Sequence, residues 1–153
     1  MNNTQETPWS NPRFRNWIAM MRAHKAVSVA LNKALAPLDL KAAQLDMLMN
    51  IHRHPGLSQQ DLAERLLVGR SNITMLLPPL EAQGLVVREP DAKDRRVIRL
   101  TLTTDGEALL AKALKVYTDL IERVMARSSD EDCNLIGARM TEIAEMLQDS
   151  ETS

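Results

Sequence analysis

Apolar residues recur at helical spacing along most of the chain. Phe14, Trp17, Ile18, Met21, Leu31 and Leu35 predict one helix from Pro12 to about Ala36, ended by Pro37. Leu45, Leu48, Met49 and Ile51 predict a second, from about Ala42 to His52, broken by His54-Pro55-Gly56. Ser58 with Asp61 three residues on reads as a helix cap, opening a third helix with Leu62 and Leu66 inward. The turn Leu67-Val68-Gly69 leads to a fourth helix from about Arg70, stopped by Gly84. The period then changes from helical to β. Leu85–Glu89 and Val97–Leu102 read as strands around a Pro90–Asp94 loop. Thr104 with Glu107 predicts the cap of a long helix to about Arg127. Ser129 with Asp132 predicts a last helix to about Gln148, striped by Leu135, Ile136, Met140, Ile143 and Leu147.

The expected fold is therefore mainly α with a small β-hairpin. The third and fourth helices and the hairpin read as a winged helix-turn-helix. Pro78-Pro79 falls inside the fourth helix, where a proline removes an N–H and clashes with the preceding turn. That predicts a kink or stop near Leu77.

Composition narrows the class. At 153 residues the chain is long enough for one domain with a core, and 44% hydrophobic with 25% charged residues is ordinary globular usage. The single cysteine, Cys133, allows no intrachain disulfide. It follows three acidic residues and reads as a structural or incidental thiol. No apolar run approaches the ~20 residues of a membrane span, so no membrane role and a cytoplasmic location are expected. No phosphate-cradling glycine loop, zinc-protease motif or nucleophile–base pair is present, so an enzyme is not expected. His52 and His54 lack a placed carboxylate and read as loop rather than metal ligands.

The net charge of −1 hides an asymmetry. Residues 65–99 hold seven Arg/Lys against four Asp/Glu, while residues 104–153 hold five against eleven. A cationic middle suits a face turned to phosphates. Arg70, Ser71, Asn72 and Thr74 at the start of the fourth helix carry the side chains that read base edges or phosphates in a major groove. Ser58, Gln59 and Gln60 stand where the backbone would be touched. Lys93, Arg95 and Arg96 crowd the hairpin tip, with Arg88 and Arg99 on its strands. Asp94 can hold one arginine and leave the other for a narrow minor groove. Each group also has a plainer reading, as a solvated helix end or an ordinary charged turn.

The segment from residue 40 to 110 resembles the MarR family of winged-helix transcription regulators. The resemblance is carried by Gln44 and Leu48, Pro55-Gly56-Leu57-Ser58-Gln59 and Asp61-Leu62-Ala63-Glu64-Arg65-Leu66. It continues through Ser71-Asn72-Ile73-Thr74, Leu80-Glu81-Ala82-Gln83-Gly84-Leu85-Val86, Asp94-Arg95-Arg96 and Leu102-Thr103-Thr104-Asp105-Gly106. It departs at Pro78-Pro79, where the family usually has a polar pair. The resemblance implies a homodimer that binds pseudopalindromic double-stranded DNA, as a repressor. It divides the chain into a disordered tail (1–10), a dimerisation helix (11–40), the winged domain (41–103) and C-terminal dimerisation helices (104–148). DNA contacts are implied at Ser71, Asn72 and Thr74 and at Arg95 or Arg96. No cofactor is implied. A small aromatic or phenolic effector is, on the helix carrying Trp17, Met21 and His24, residues that read equally as packing. The rival to this reading is a winged helix kept as a protein-binding module.

Overall fold

The computed structural model describes residues 8–66 and 70–151, and side chains over 8–66 and 73–147. The expected turn Leu67-Val68-Gly69 and most of the expected tail lie outside the described residues. Six α-helices and three strands are formed there: α1 (Pro12–Leu35), α2 (Ala42–Arg53), β1 (Leu57–Ser58), α3 (Gln59–Arg65), α4 (Arg70–Ala82), β2 (Val86–Pro90), β3 (Ile98–Leu102), α5 (Thr104–Met125) and α6 (Asp130–Glu151). Two compact units divide within α5, one running to Tyr117 and the other starting at Thr118.

In the first unit the core is aliphatic. Leu35, Leu45, Met47, Leu48, Ile51, Leu62, Ile73, Leu77, Leu80, Leu100 and Leu110 are fully buried. Met49, expected inside, is only half-buried; Met47 takes its place. Pro8–Ser10 form a 3-10 turn within the stretch read as tail, and Trp9 meets Phe14 edge-on at 5.0 Å. Asn11 caps α1 by accepting the Arg13 N–H at 2.9 Å, and Pro12 takes the first helical position, where no donor is needed. Asn32 ties α1 to the start of α2, its Oδ1 accepting the Ala42 N–H at 2.9 Å.

The hairpin is the larger part of a three-stranded antiparallel sheet in the order β1-β3-β2. Leu57 pairs with Leu100 and Ser58 with Arg99, a strand too short to leave a period in the sequence. In the hairpin proper Arg88 pairs with Leu100 and Pro90 with Ile98.

The kink expected at Pro78-Pro79 is not found, because α4 runs unbroken through both prolines. The reason is the face they occupy. Ile73, Leu77 and Leu80, at helical spacing, are at most 1% exposed and anchor the helix on both sides of the pair. Pro78 and Pro79 are exposed, so the carbonyls they cannot serve, at 74 and 75, lie on the solvent side. Burial of the inner face outweighs the local penalty. Gly84, at φ +70°, then closes α4, with the Leu85 N–H bonded to the Leu80 carbonyl and the Gly84 N–H to that of Glu81.

The start of α5 also differs from expectation. Thr103, not Thr104, is the cap: its Oγ1 accepts the Gly106 N–H at 3.0 Å and donates to the Gly84 carbonyl at 2.6 Å. The third position from that cap is Gly106, so Glu107 does not reach back; it meets His52 Nδ1 at 2.7 Å instead. Gly106 is required by a close approach. A Cβ there would stand 2.1 Å from the Leu85 carbonyl oxygen, which already accepts the Thr103 N–H at 3.0 Å.

In the second unit Ser129 caps α6 as expected, accepting the Asp132 N–H at 3.1 Å and donating to its carboxylate at 2.8 Å. α6 buries none of its described side chains. Leu135, Ile136, Met140 and Leu147 on it, with Ile121 and Val124 on α5, are all exposed.

Candidate nucleic-acid interface

The cap of α3 fixes one edge of the candidate surface. Ser58 Oγ accepts the Asp61 N–H at 2.9 Å, and the Asp61 carboxylate returns to Ser58. Those bonds, chiefly to the Ser58 hydroxyl, hold the Asp61 carboxyl below the usual carboxylate range. Ser58 is buried and its hydroxyl is engaged, so geometry gives it a structural role beside the surface. Gln59 and Gln60 follow on the first turn, with Gln60 Nε2 donating to Glu64 at 3.3 Å.

α4 presents its first turn beside them. Burial of Ile73 faces Thr74 outward, where it is exposed. Arg70, Ser71 and Asn72 stand on the first turn of the helix by backbone position, and their side chains lie outside the described residues. Helix N-termini carry unsatisfied N–H groups and a positive dipole end, which suits phosphate.

The wing is built around Asp91, a residue that reads from sequence only as loop. Its Oδ1 accepts the N–H groups of Lys93 at 2.8 Å and Asp94 at 3.0 Å, and its Oδ2 accepts Arg99 Nε at 2.8 Å. Those bonds, led by the Asp94 N–H, draw its pKa down to about 2. Arg99 also donates to the Gly56 carbonyl at 3.3 Å, fastening the wing to the turn before β1. The Pro-Asp start of the loop was the available signal, since aspartate there bonds to the backbone two and three residues on.

The two tip arginines are distinguished. Arg96 is held by Asp94, with Nε at 3.1 Å from one carboxylate oxygen and Nη2 at 3.4 Å from the other. Arg95 is exposed, and neither it nor the Lys93 ammonium makes an ion pair among the described residues. Arg88 is also engaged, donating to Gln59 Oε1 at 3.0 Å and to Glu81 at 3.3 Å. It braces the start of α3 and the end of α4 from β2.

Gln59, Gln60, Thr74 and Arg96 meet around one cleft of about 560 Å³, floored by Ala63, Ile73 and Ile98. Ser58 lines it too, so five sequence-predicted residues, from the α3 start, α4 and the wing, share a surface. Trp17, Met21 and His24 do not join it. All three are exposed on α1, and none lines this cleft or the one bounded by Asn32, Lys41, Gln44 and Gln83. His54, the other half of the weighed metal pair, meets Arg65 at 3.2 Å. No described helix is long and apolar enough to cross a membrane.

Residues 38–97 match the MarR family model. The chain is 33% identical over 110 residues to the HTH-type transcriptional repressor MdtR of Bacillus subtilis, covering 72% of this chain and 69% of that protein. It is 35% identical over 98 residues to an uncharacterized HTH-type transcriptional regulator of Bacillus cereus, and spans 65% of that relative's length. Among solved structures it is similar to the transcriptional repressor CouR bound to a 23-mer DNA duplex. That likeness has a TM-score of 0.80 at 28% identity and covers 94% of this chain and 99% of CouR.

Proposed function

The chain belongs to the MarR family of winged-helix transcriptional regulators, and from that premise we propose that it represses transcription as a homodimer on pseudopalindromic double-stranded DNA. One observation carries the proposal: Gln59 and Gln60 at the α3 start, Thr74 on α4 and Arg96 of the wing line a single cleft. In this reading α4 enters the major groove with Arg70, Ser71, Asn72 and Thr74, and the wing tip lies along the backbone or minor groove. Arg95, unpaired at the tip, is the arginine best placed to reach DNA, while Arg96 shapes the turn through Asp94. Gln59 and Gln60 meet phosphates. Arg88 and Ser58 hold those residues in place rather than touching DNA.

The exposed apolar face of α6, with Leu135, Ile136 and Met140, supports the homodimer, since a face of that kind in a soluble regulator calls for cover. Two-fold symmetry then places the half-sites about 10 base pairs apart, centre to centre. An aromatic effector on Trp17, Met21 and His24 fits this proposal only where a second chain walls their exposed face. The regulator would act in the cytoplasm, where its DNA is.

Fluorescence anisotropy on the DNA upstream of its own gene and on a shuffled duplex, across a salt series, tests the proposal. A preference of at least ~10³-fold for the upstream fragment, at two chains per duplex, is expected. Equal, weak and steeply salt-dependent binding to both is non-specific attraction. It would favour a protein-binding winged helix instead.

A further inference from the structure

Met75 is 73% exposed, more than any other large hydrophobic side chain among the described residues. It stands on α4 next to Thr74, on the side of the helix away from the buried Ile73, Leu77 and Leu80. A single exposed apolar residue is ordinary on a protein surface. Met75 is not single. Pro78 and Pro79 lie three and four residues on, at the spacing that brings side chains together on one helix face. Thr74, Met75, Pro78, Pro79 and Ala82 are all exposed, and none carries a charge. Glu81, the acid of α4, is turned to Arg88 at 3.3 Å. The outer face of the helix beyond its first turn is thus a ridge of methyl, thioether and pyrrolidine groups.

This ridge continues the candidate interface. Thr74 belongs both to it and to the cleft lined by Gln59, Gln60 and Arg96. An apolar ridge also suits a protein partner, but its continuity with polar and cationic groups of the kind that touch a DNA backbone favours the major groove. There Met75 and Pro78 have no hydrogen to donate to a base. Pressed on guanine, cytosine or adenine edges, they strip water from polar groups and offer nothing in return. The C5-methyl of thymine is the apolar group that bases present in that groove. Thr74 to Pro78 spans about 6 Å of helix axis, the length of about two base-pair steps. The thioether adapts its shape to such a contact, and a proline ring loses no rotamer freedom in making one.

We propose that Met75 and Pro78 set operator specificity by packing on thymine methyl groups. Arg70, Ser71 and Asn72 on the first turn then supply the hydrogen bonds, and the next turn selects thymine by apolar contact. The inference rests on the regulator reading, with α4 in the major groove.

The test starts with selection of duplexes by the full chain from a random-sequence library. Each thymine of the enriched duplex is then replaced in turn by deoxyuridine, which deletes the methyl and keeps the hydrogen-bonding edge. Anisotropy is expected to show binding weakened about fourfold at one or two positions in each half-site, and about 16-fold when symmetry-related positions are changed together. In Met75→Ala and in Met75→Gln, both at an exposed position, deoxyuridine at one of those positions should make no difference. An enriched duplex indifferent to every deoxyuridine overturns the inference and leaves the regulator reading standing. So does a methyl effect that persists undiminished in Met75→Ala, Met75→Gln and Pro78→Ala. Failure to enrich any sequence sinks the regulator reading, and this inference with it.

Discussion

Gly106→Ala tests how the wing is joined to α5. The new Cβ would stand 2.1 Å from the Leu85 carbonyl oxygen, against the 3.0 Å below which real Cβ contacts essentially do not occur. The obstacle is backbone, so no side chain can swing away. Opening the gap shifts Leu85 against the first turn of α5, and the bonds there are short-range and mutual. The Thr103 N–H bonds to Leu85, Thr103 Oγ1 to the Gly84 carbonyl, and the Gly106 N–H to Thr103 Oγ1. Weakening two or three such bonds costs about 1 kcal/mol each. Overpacking adds about 1–3 kcal/mol, and the better helix propensity of alanine returns at most about 1 kcal/mol. A net loss of about 3 kcal/mol is expected, a large part of the ~5–15 kcal/mol that stabilises a typical domain. At about 2–4 °C per kcal/mol for a chain of this size, Tm should fall by roughly 6–12 °C. Calorimetry or circular dichroism at fixed protein concentration reads it directly. A variant within 2 °C of the parent would show that the close approach is not a constraint and refute the reasoning.

Three further outcomes follow from the same geometry. Pro78→Ala restores a helix donor at an exposed position. It should raise stability by about 1–2 kcal/mol, the ~3 kcal/mol interior penalty being reduced by solvent at the carbonyls and by the unfolded-state entropy that proline removes; a lower denaturation midpoint would contradict the account of α4. Asp91 has its pKa lowered to about 2, so its contribution to the wing is complete above the unfolded value of 3.8 and lost as pH falls from about 4 toward 2. Amide exchange at Lys93 and Asp94 should speed up across that window in the parent, and Asp91→Asn should flatten the profile; an identical acid profile in the variant would remove Asp91 from the centre of the wing. Arg95→Ala should weaken all DNA sites alike and reduce the salt slope by about 1, whereas Asn72→Ala should cost about 1–3 kcal/mol on the preferred site only. An unchanged slope excludes Arg95 as a phosphate contact, and undiminished preference excludes Asn72 as a base reader.

What the sequence disclosed depended on the range of the interaction. The caps at Ser58 and Ser129 and the Gly84 stop are local, decided within a few residues, and were legible. The hairpin was legible because β-branched runs flank a turn. Misreadings occurred where distant residues decide. Helix propensity argued for a break at Pro78-Pro79, yet Leu77 and Leu80 are held by a core that no window of sequence displays. The cap of α5 moved by one residue because Thr103 also bonds to Gly84, and Glu107 found His52, 55 positions away. β1 exists only through its pairing with β3. At the candidate interface the residue types were visible, but not their engagements: Arg88 bracing Gln59, or Asp94 choosing Arg96 over Arg95, depends on three-dimensional placement.

The strand order has a bearing on solubility. β3 is flanked on both sides, so the sheet exposes only two edges. One is β1, two residues long. The other is β2, whose outer stretch reads Arg88-Glu89-Pro90, two charges and a residue with no N–H to offer. Short, charged or proline-ended edges resist strand-to-strand addition. A regulator that concentrates along DNA brings many copies of its wing into proximity. This sheet gives them no template for polymerisation.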